Sequence, residues 1–314
     1  MKAKLLVAFF LITNQLIAQT DNADVNRFIA LFKSQLAALP VGKIEEHFEE
    51  GYFKTLSESE YFDKDLEIGL TTIYQRCAGK DEAFSKQAIA DYFEQYKRLK
   101  KERKEVELKM VDFNFVKPYL KIRIYPDELR KLYENHGIVK SGYKGLIEVI
   151  VMDLPSGIGS VERKYLDIWK KTESEIYLLA KENTFKSLDQ QFEKADVAKS
   201  GEEFYLLASD TDLFVTSFIL DLKKANPPAG KFGTLISIPN NMAIVALPLN
   251  DKTKIEAFCL SFMGLADYMY NSEETKPVSN NLFWLQGNEV FFIEKDIKNK
   301  KFNLPSQLQV LIDQ

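Results

Sequence analysis

The sequence predicts an α+β protein: mixed, largely antiparallel sheets whose hairpins pack against helices. Three observations carry this. "TLISIPNNMAIVALPL", residues 234–249, holds two apolar runs around Asn240-Asn241, as a central hairpin does. A second pair of runs, 281–286 and 289–294, flanks Gly287-Asn288. Between strand-like runs lie segments with apolar residues at helical spacing, such as Phe28, Leu31, Phe32, Leu36 and Leu39. Hairpins require antiparallel pairing, which excludes a doubly wound parallel sheet.

Taken in order, the chain starts with Lys2 and Lys4, the apolar run Leu5 to Ile12, polar Thr13 to Gln15, and Leu16-Ile17-Ala18. This is the pattern of a signal peptide cut near Ala18, too short to span a bilayer, which needs about 20 apolar residues. Residues 1–18 are therefore expected to direct export to the periplasm or beyond, with membrane contact only through that segment. The remainder divides into an N-terminal α/β lobe, 19–107, and a C-terminal α+β domain, 108–314. A helix over 26–39 stops at Pro40 and Gly42, strands follow near 51–57 and 66–76, and a helix spans about 81–104. "KRLKKERKEVE", residues 97–107, mixes bases and acids and reads as a solvated helix face.

Strands are expected near 108–115, 119–125 and 146–152, the last buried on both faces because it is a nearly continuous apolar run. A short helix after Pro126 ends at Asn135-His136-Gly137, with Gly137 as a left-handed cap. Ser160 is placed to cap a helix through Trp169, and Thr172-Glu173-Ser174-Glu175 is a capping box opening the next. A strand at 203–208, a helix near 211–224 capped by Ser209 or Asp210, and a helix over 252–270 complete the pattern. "EAFSKQAIADYF" and "EAFCLSFMGLADYM" each follow a strand pair, an echo that points to two related lobes.

The chain resembles the YtpQ-like family of bacterial proteins over about residues 115–295. The residues that carry the likeness are Asp153-Leu154-Pro155, a helix ending at Trp169, Glu175 to Asn183 with Ala180, and Ile238-Pro239-Asn240 in a hairpin. The family is one of unknown function, so the resemblance implies a fold and no catalytic residues. It also implies an Arg after the Pro-Asn pair; this chain has Asn241 there.

The chemistry the residues allow is narrow. The net charge of −4, or −6 once Lys2 and Lys4 are removed, excludes a general nucleic-acid binder. Gly157-x-Gly159 follows a strand, as phosphate loops do, but the third glycine position holds Glu162, whose charge would repel a phosphate. His47, in an acidic segment, and His136 are the two histidines, without a zinc motif, so neither a metal nor any other cofactor is expected. Cys77 and Cys259 are compatible with a disulfide or with two buried thiols. A hydrolase would use Asp153 and Asp210, which would have to lie about 5–10 Å apart. A carbohydrate or peptide groove would use Trp169, Trp284, Phe283 and Tyr268, although their helix and strand periodicity places most of them in the core; Asn240 and Asn241 at the hairpin tip are further binding candidates. The favoured expectation is an exported, non-catalytic protein that binds a peptide, a protein or a small molecule; the alternatives are that carboxylate-dependent hydrolase and a structural envelope assembly protein.

Overall fold

The computed structural model describes residues 23–135, 137–154, 157–195, 203–272, 275–296 and 301–313. Residues 1–18, where a signal segment is expected, and His136 lie outside the described residues. The chain divides between Met110 and Val111 into two compact units. Among the described residues every strand pairing is antiparallel, and helices pack on the sheets, so the fold is α+β.

The first unit contains α1 (Ala23–Ala37), β1 (Ile44–His47), β2 (Tyr52–Thr55), β3 (Glu67–Gly69), α2 (Thr71–Cys77) and α3 (Glu82–Lys109). The strands form a meander with β2 central. Phe32, Phe53, Phe62 and Phe93 form an aromatic core with ring centroids 5.2–6.1 Å apart. The strand expected over 66–76 is only three residues long. Beyond it, Leu70, Ile73 and Cys77 all face inward at helical spacing, and the chain coils into α2. The strand expected at 108–115 does not form: α3 runs on to Lys109, and Asp112 caps a short α4 (Phe113–Val116) by accepting from Asn114 N at 2.9 Å.

The charged stretch of α3 is not simply solvated. Lys100 is 4% exposed, and its ammonium donates to Ser59 O at 2.6 Å and Phe62 O at 2.8 Å. It also pairs with Asp63 at 3.2 Å and Glu58 at 3.3 Å. Arg103 binds Asp63, Lys104 binds Glu58 and Lys97 pairs with Glu60. One row of cations, four or three residues apart on the helix, clamps the loop at residues 58–63. The acids that hold them are the loop's own, which leaves this face little spare charge for an anionic partner.

The second unit has two sheets. In the smaller, β4 (Leu120–Pro126) pairs with β6 (Leu146–Leu154), which also pairs with β5 (Val139–Ser141) and β7 (Gly157–Ser160). Residues 146–152 are all buried, including Glu148, whose carboxylate accepts from the Tyr177 hydroxyl at 2.6 Å. The free edge of β4 is closed by side chains. Thr184 Oγ1, on α7 (Glu173–Ser187), accepts from Ile122 N at 2.8 Å, and Ser217 donates to Ile122 O at 2.8 Å. The Gly157-x-Gly159 segment is a strand of a β-hairpin, so α6 (Lys164–Trp169) starts later, after Arg163, and Ser160 caps nothing. Gly137 does not take a left-handed conformation; α5 (Arg130–Glu134) ends at Asn135 with φ −67°. A Cβ at Gly137 would lie 3.2 Å from Tyr133 O and 3.3 Å from Ser160 Cβ, so close approach accounts for glycine there.

The larger sheet has the order β14-β13-β12-β10-β11-β9-β8. Its strands are β8 (Glu193–Ala195), β9 (Phe204–Ala208), β10 (Thr234–Asn240), β11 (Ala243–Pro248), β12 (Leu282–Gln286), β13 (Glu289–Asp296) and β14 (Lys301–Asn303). The hairpin β10–β11 is buried on both faces. Ile236, Ile238, Ile244 and Ala246 join the core with Val149 and Val151 of the small sheet. Leu235, Val245 and Leu247 pack instead with Cys259 and Phe262 of α8 (Ile255–Tyr270). Alternation along the strands thus builds three layers: small sheet, large sheet, helix. A terminal α9 (Ser306–Asp313) adds Leu308 to the helical side.

The turn of β10–β11 is Asn241-Met242, and neither Asn240 nor Asn241 takes the positive φ that the pair would accept. Gly287, at φ 59°, does so in the second hairpin. The predicted helix near 211–224 is a tighter 3-10 segment, Val215–Ala225, kinked at Asp221. Strand order ends the lobe comparison: β2 pairs with the strand before it, whereas β10 pairs with the later β12. Both cysteines are free and buried, so no disulfide joins them.

Replacing Lys100 with Ala removes the buried charge and the donor to the Ser59 and Phe62 carbonyls, while Arg103 and Lys104 still hold Asp63 and Glu58. A loss of about 3 kcal/mol is expected, read as faster native-state hydrogen exchange along α3. Acid should loosen the same clamp. Hydrogen bonds from Lys104 and Lys100 hold the Glu58 carboxyl down to about 2. Its contribution is therefore complete above the unfolded value near 4.3 and lost as pH falls towards 2. Hydrogen exchange of α3 followed over that range should quicken in the native chain and change less in Glu58→Gln.

Candidate functional site: a cleft among the first three helices

Tyr74 and Cys77, at the end of α2, face α1 across a cleft of about 320 Å³. The volume lies at the low end of ligand pockets, roughly 300–1,000 Å³. One stripe of α1 supplies Asp24, Arg27, Phe28, Leu31 and Ser34, and the first turn of α3 supplies Glu82, Ser85 and Lys86. The local chain sets this geometry. Gly79, at φ 69°, turns the chain out of α2, and Asp81 caps α3 by accepting from Phe84 N at 2.8 Å. Arg27 Nη2 then donates to Lys80 O at 3.3 Å, tying α1 to that turn.

The floor is apolar. Phe28 meets Tyr74 edge to face, with centroids 5.4 Å apart. The charges on the rim pair among themselves: Glu82 with Lys86 at 2.6 Å, and Asp24 with Arg27 at 3.7 Å. The hydrogen bond from Lys86 holds the Glu82 carboxyl below the usual range. Burial pushes the Cys77 thiol up, opposite to the shift a nucleophilic thiolate needs. The arrangement suits a neutral, apolar group and supplies no activated nucleophile or acid-base pair.

The residues singled out from sequence lie elsewhere. Asp153 is half-buried at the end of β6, and its carboxylate accepts from Lys121 Nζ at 2.8 Å. The same ammonium sits 4.6 Å from the Phe214 ring centre. Asp210 lies exposed in the turn before Phe214. Ser209, rather than Asp210, caps that turn by accepting from Asp212 N at 2.8 Å, and Asp212 accepts from Phe214 N at 2.8 Å. One acid is paired with a lysine and the other faces solvent.

Trp284 is fully buried and donates to Phe232 O at 2.8 Å; Phe283 is fully buried as well. Trp169 is 6% exposed and stacks on Tyr165 at 5.2 Å. These rings are core, and Tyr268 alone of the proposed groove residues is open to solvent, at 79%. Asn240 and Asn241 work as fasteners. Asn240 Oδ1 accepts from Met242 N at 3.0 Å, while Asn241 exchanges hydrogen bonds with the Lys276 backbone at 2.9 and 3.0 Å. His47 stacks on Tyr52 at 4.6 Å and lies 3.4 Å from Glu45. Among the described residues no group of three His, Cys, Asp or Glu side chains is placed to hold a metal ion.

The cleft was hidden in the sequence for a specific reason. Phe28 and Leu31 look like ordinary core positions of α1, and reading 66–76 as a strand removes the helix that forms the opposite wall. The signal that could have found it is the Leu70, Ile73, Cys77 spacing. Comparison of the chain with protein-family models, with curated proteins and with solved structures finds no match.

Asp153→Asn should leave Lys121 without its acid and cost about 1 kcal/mol, whereas Asp210→Asn should stay within about 0.5 kcal/mol. Urea unfolding followed by tryptophan fluorescence reports both, because Trp169 and Trp284 lie in the second unit.

Proposed function

We propose that this is an exported, non-catalytic binding protein, and that the α1–α2–α3 cleft takes a small apolar molecule or an apolar peptide side chain. The single observation that carries the reading is the cleft's division into an apolar floor and a self-paired charged rim. A rim that has neutralised itself favours no net charge, so selection rests on shape and burial. Covering an apolar group of about 100 Å² would contribute about 2.5 kcal/mol before the cost of association.

Export is supported by the basic start, short apolar run and Ala18 at the N-terminus. Among the described residues no helix is long and apolar enough to cross a membrane. The likeness to the YtpQ-like family rests on sequence residues alone and assigns no role to any of them. The hydrolase reading is less favoured because Asp153 is engaged by Lys121 and Asp210 is exposed in a turn.

Thermal melting of the protein against apolar fragments and hydrophobic peptides tests the proposal. A ligand at about 100 times its dissociation constant should add about 2.7 kcal/mol of stability. Ala30, an exposed α1 residue on the cleft wall, offers the control: Ala30→Trp should fill the space, keep the fold and abolish the shift. A shift that survives Ala30→Trp would place binding elsewhere.

A further inference from the structure

The sheet of the first unit turns one face away from its aromatic core. Side chains alternate along the strands, so Phe53, Thr55 and Ile68 are buried, while Glu45, His47, Tyr52, Lys54, Glu67 and Gly69 share the outer face. Register sets the outer residues in two rows across the strands: His47, Tyr52 and Gly69 in one, Glu45, Lys54 and Glu67 in the other. In the first row the His47 and Tyr52 rings stack, with centroids 4.6 Å apart and planes 9° from parallel. On the far side of Tyr52 the neighbouring position belongs to Gly69. An aromatic side chain can cover a cross-strand glycine, but Tyr52 pairs with His47 instead. A Cβ built on Gly69 would meet nothing within 4 Å. The second face of the Tyr52 ring therefore borders an open slot. Because β3 is the end strand of the meander and Gly69 is exposed, the slot is also open sideways.

The charge around this slot is negative. Glu45 lies 3.4 Å from His47 Nε2 and Glu50 lies 3.5 Å from Nδ1, so the stack is flanked by acids. Glu67, two residues before Gly69 and on the same face, is exposed and forms no ion pair with a described residue. Lys54, in register between Glu45 and Glu67, is the cation set against these three carboxylates. The negative face of an aromatic ring attracts a cation, and the acids add to that field. A guanidinium suits the space better than an ammonium. It is flat, weakly hydrated, stacks on rings, and keeps its edge donors for carboxylates. The slot is shallow and open, whereas small ligands are held in concave sites that cover most of their surface. The cation that fits here is thus one carried by a larger partner, whose own surface supplies the remaining contact.

We propose that the outer face of the first sheet receives an arginine side chain of a basic partner protein, with the guanidinium over Gly69 and stacked on Tyr52. His47, Tyr52 and the guanidinium then form three successive layers, and the guanidinium edge donates to Glu67. Glycine at position 69 keeps the slot empty for the guest. The site shares no residue with the helical cleft and does not depend on what the cleft binds.

NMR titration of the full chain at low salt with a blocked Gly-Arg-Gly peptide, at millimolar concentration, tests this. The lysine and citrulline counterparts of the peptide run beside it; citrulline has the shape of arginine without its charge. Saturable shifts at Tyr52, Glu67 and Gly69 are expected with the arginine peptide, weaker ones with lysine, and none with citrulline. Gly69→Val places a strand-favouring side chain in the slot at a position whose φ is ordinary, so the fold should hold by circular dichroism. Gly69→Val and, independently, Tyr52→Leu should each weaken arginine binding roughly tenfold. Glu67→Gln should weaken it about threefold, and less in high salt. Three results would overturn the proposal: no saturable shift with the arginine peptide, equal affinity for the citrulline peptide, or undiminished binding in both Gly69→Val and Tyr52→Leu.

Discussion

A hairpin buried on both faces is the constraint on which the second unit depends. Residues 234–248 cannot turn either face to water, because alternate side chains on each are aliphatic. The ladder to β9 and β12 satisfies the backbone, and two separate apolar layers must cover the faces. One layer is the small sheet with the 3-10 segment, the other is α8. Everything else in the unit follows from covering those layers. The few polar side chains inside are spent on irregular backbone: Ser237 donates to Asn281 O at 2.9 Å and Thr234 to Pro228 O at 2.5 Å. Gly233 is held to glycine by the same packing, since a Cβ there would run into the Trp284 indole nitrogen and Leu285 O.

Charge is used in two contrasting ways. In the first unit Lys100 is almost fully buried and fully satisfied, with two carbonyls and two carboxylates around one ammonium. Such a group organises a loop and has nothing left to offer a ligand. In the second unit Arg123 is half-buried and its donors find no acceptor among the described residues. The first is paired because it is desolvated, whereas the second keeps part of its hydration and rests on the Tyr125 ring.

The parts of the fold legible in the sequence were those with a strong local signal. Two apolar runs around Asn240-Asn241, the Gly287 turn and the Thr172–Glu175 capping box all correspond to elements of the structure, and in the last both reciprocal hydrogen bonds are present. Errors arose where a short pattern fitted two periods. Leu66, Ile68 and Leu70 alternate as a strand does, yet Leu70, Ile73 and Cys77 continue as a helix, and tertiary burial decided for the helix. The extent of α3 was missed because its charged stretch looked like a surface ending, when the acids that neutralise it lie about 40 residues earlier in the chain. The cleft shares that cause: it depends on partners distant in sequence, which no local pattern encodes.

The account places recognition in the helical cleft and leaves the carboxylates Asp153 and Asp210 as structural and surface groups. Mapping the binding of apolar fragments such as indole on the whole chain by NMR tests that directly. The account predicts saturable shifts concentrated on Phe28, Leu31, Tyr74 and Cys77, the residues of the cleft. Shifts gathered around Asp153 and Asp210 instead, or no saturable shift at all, would contradict it.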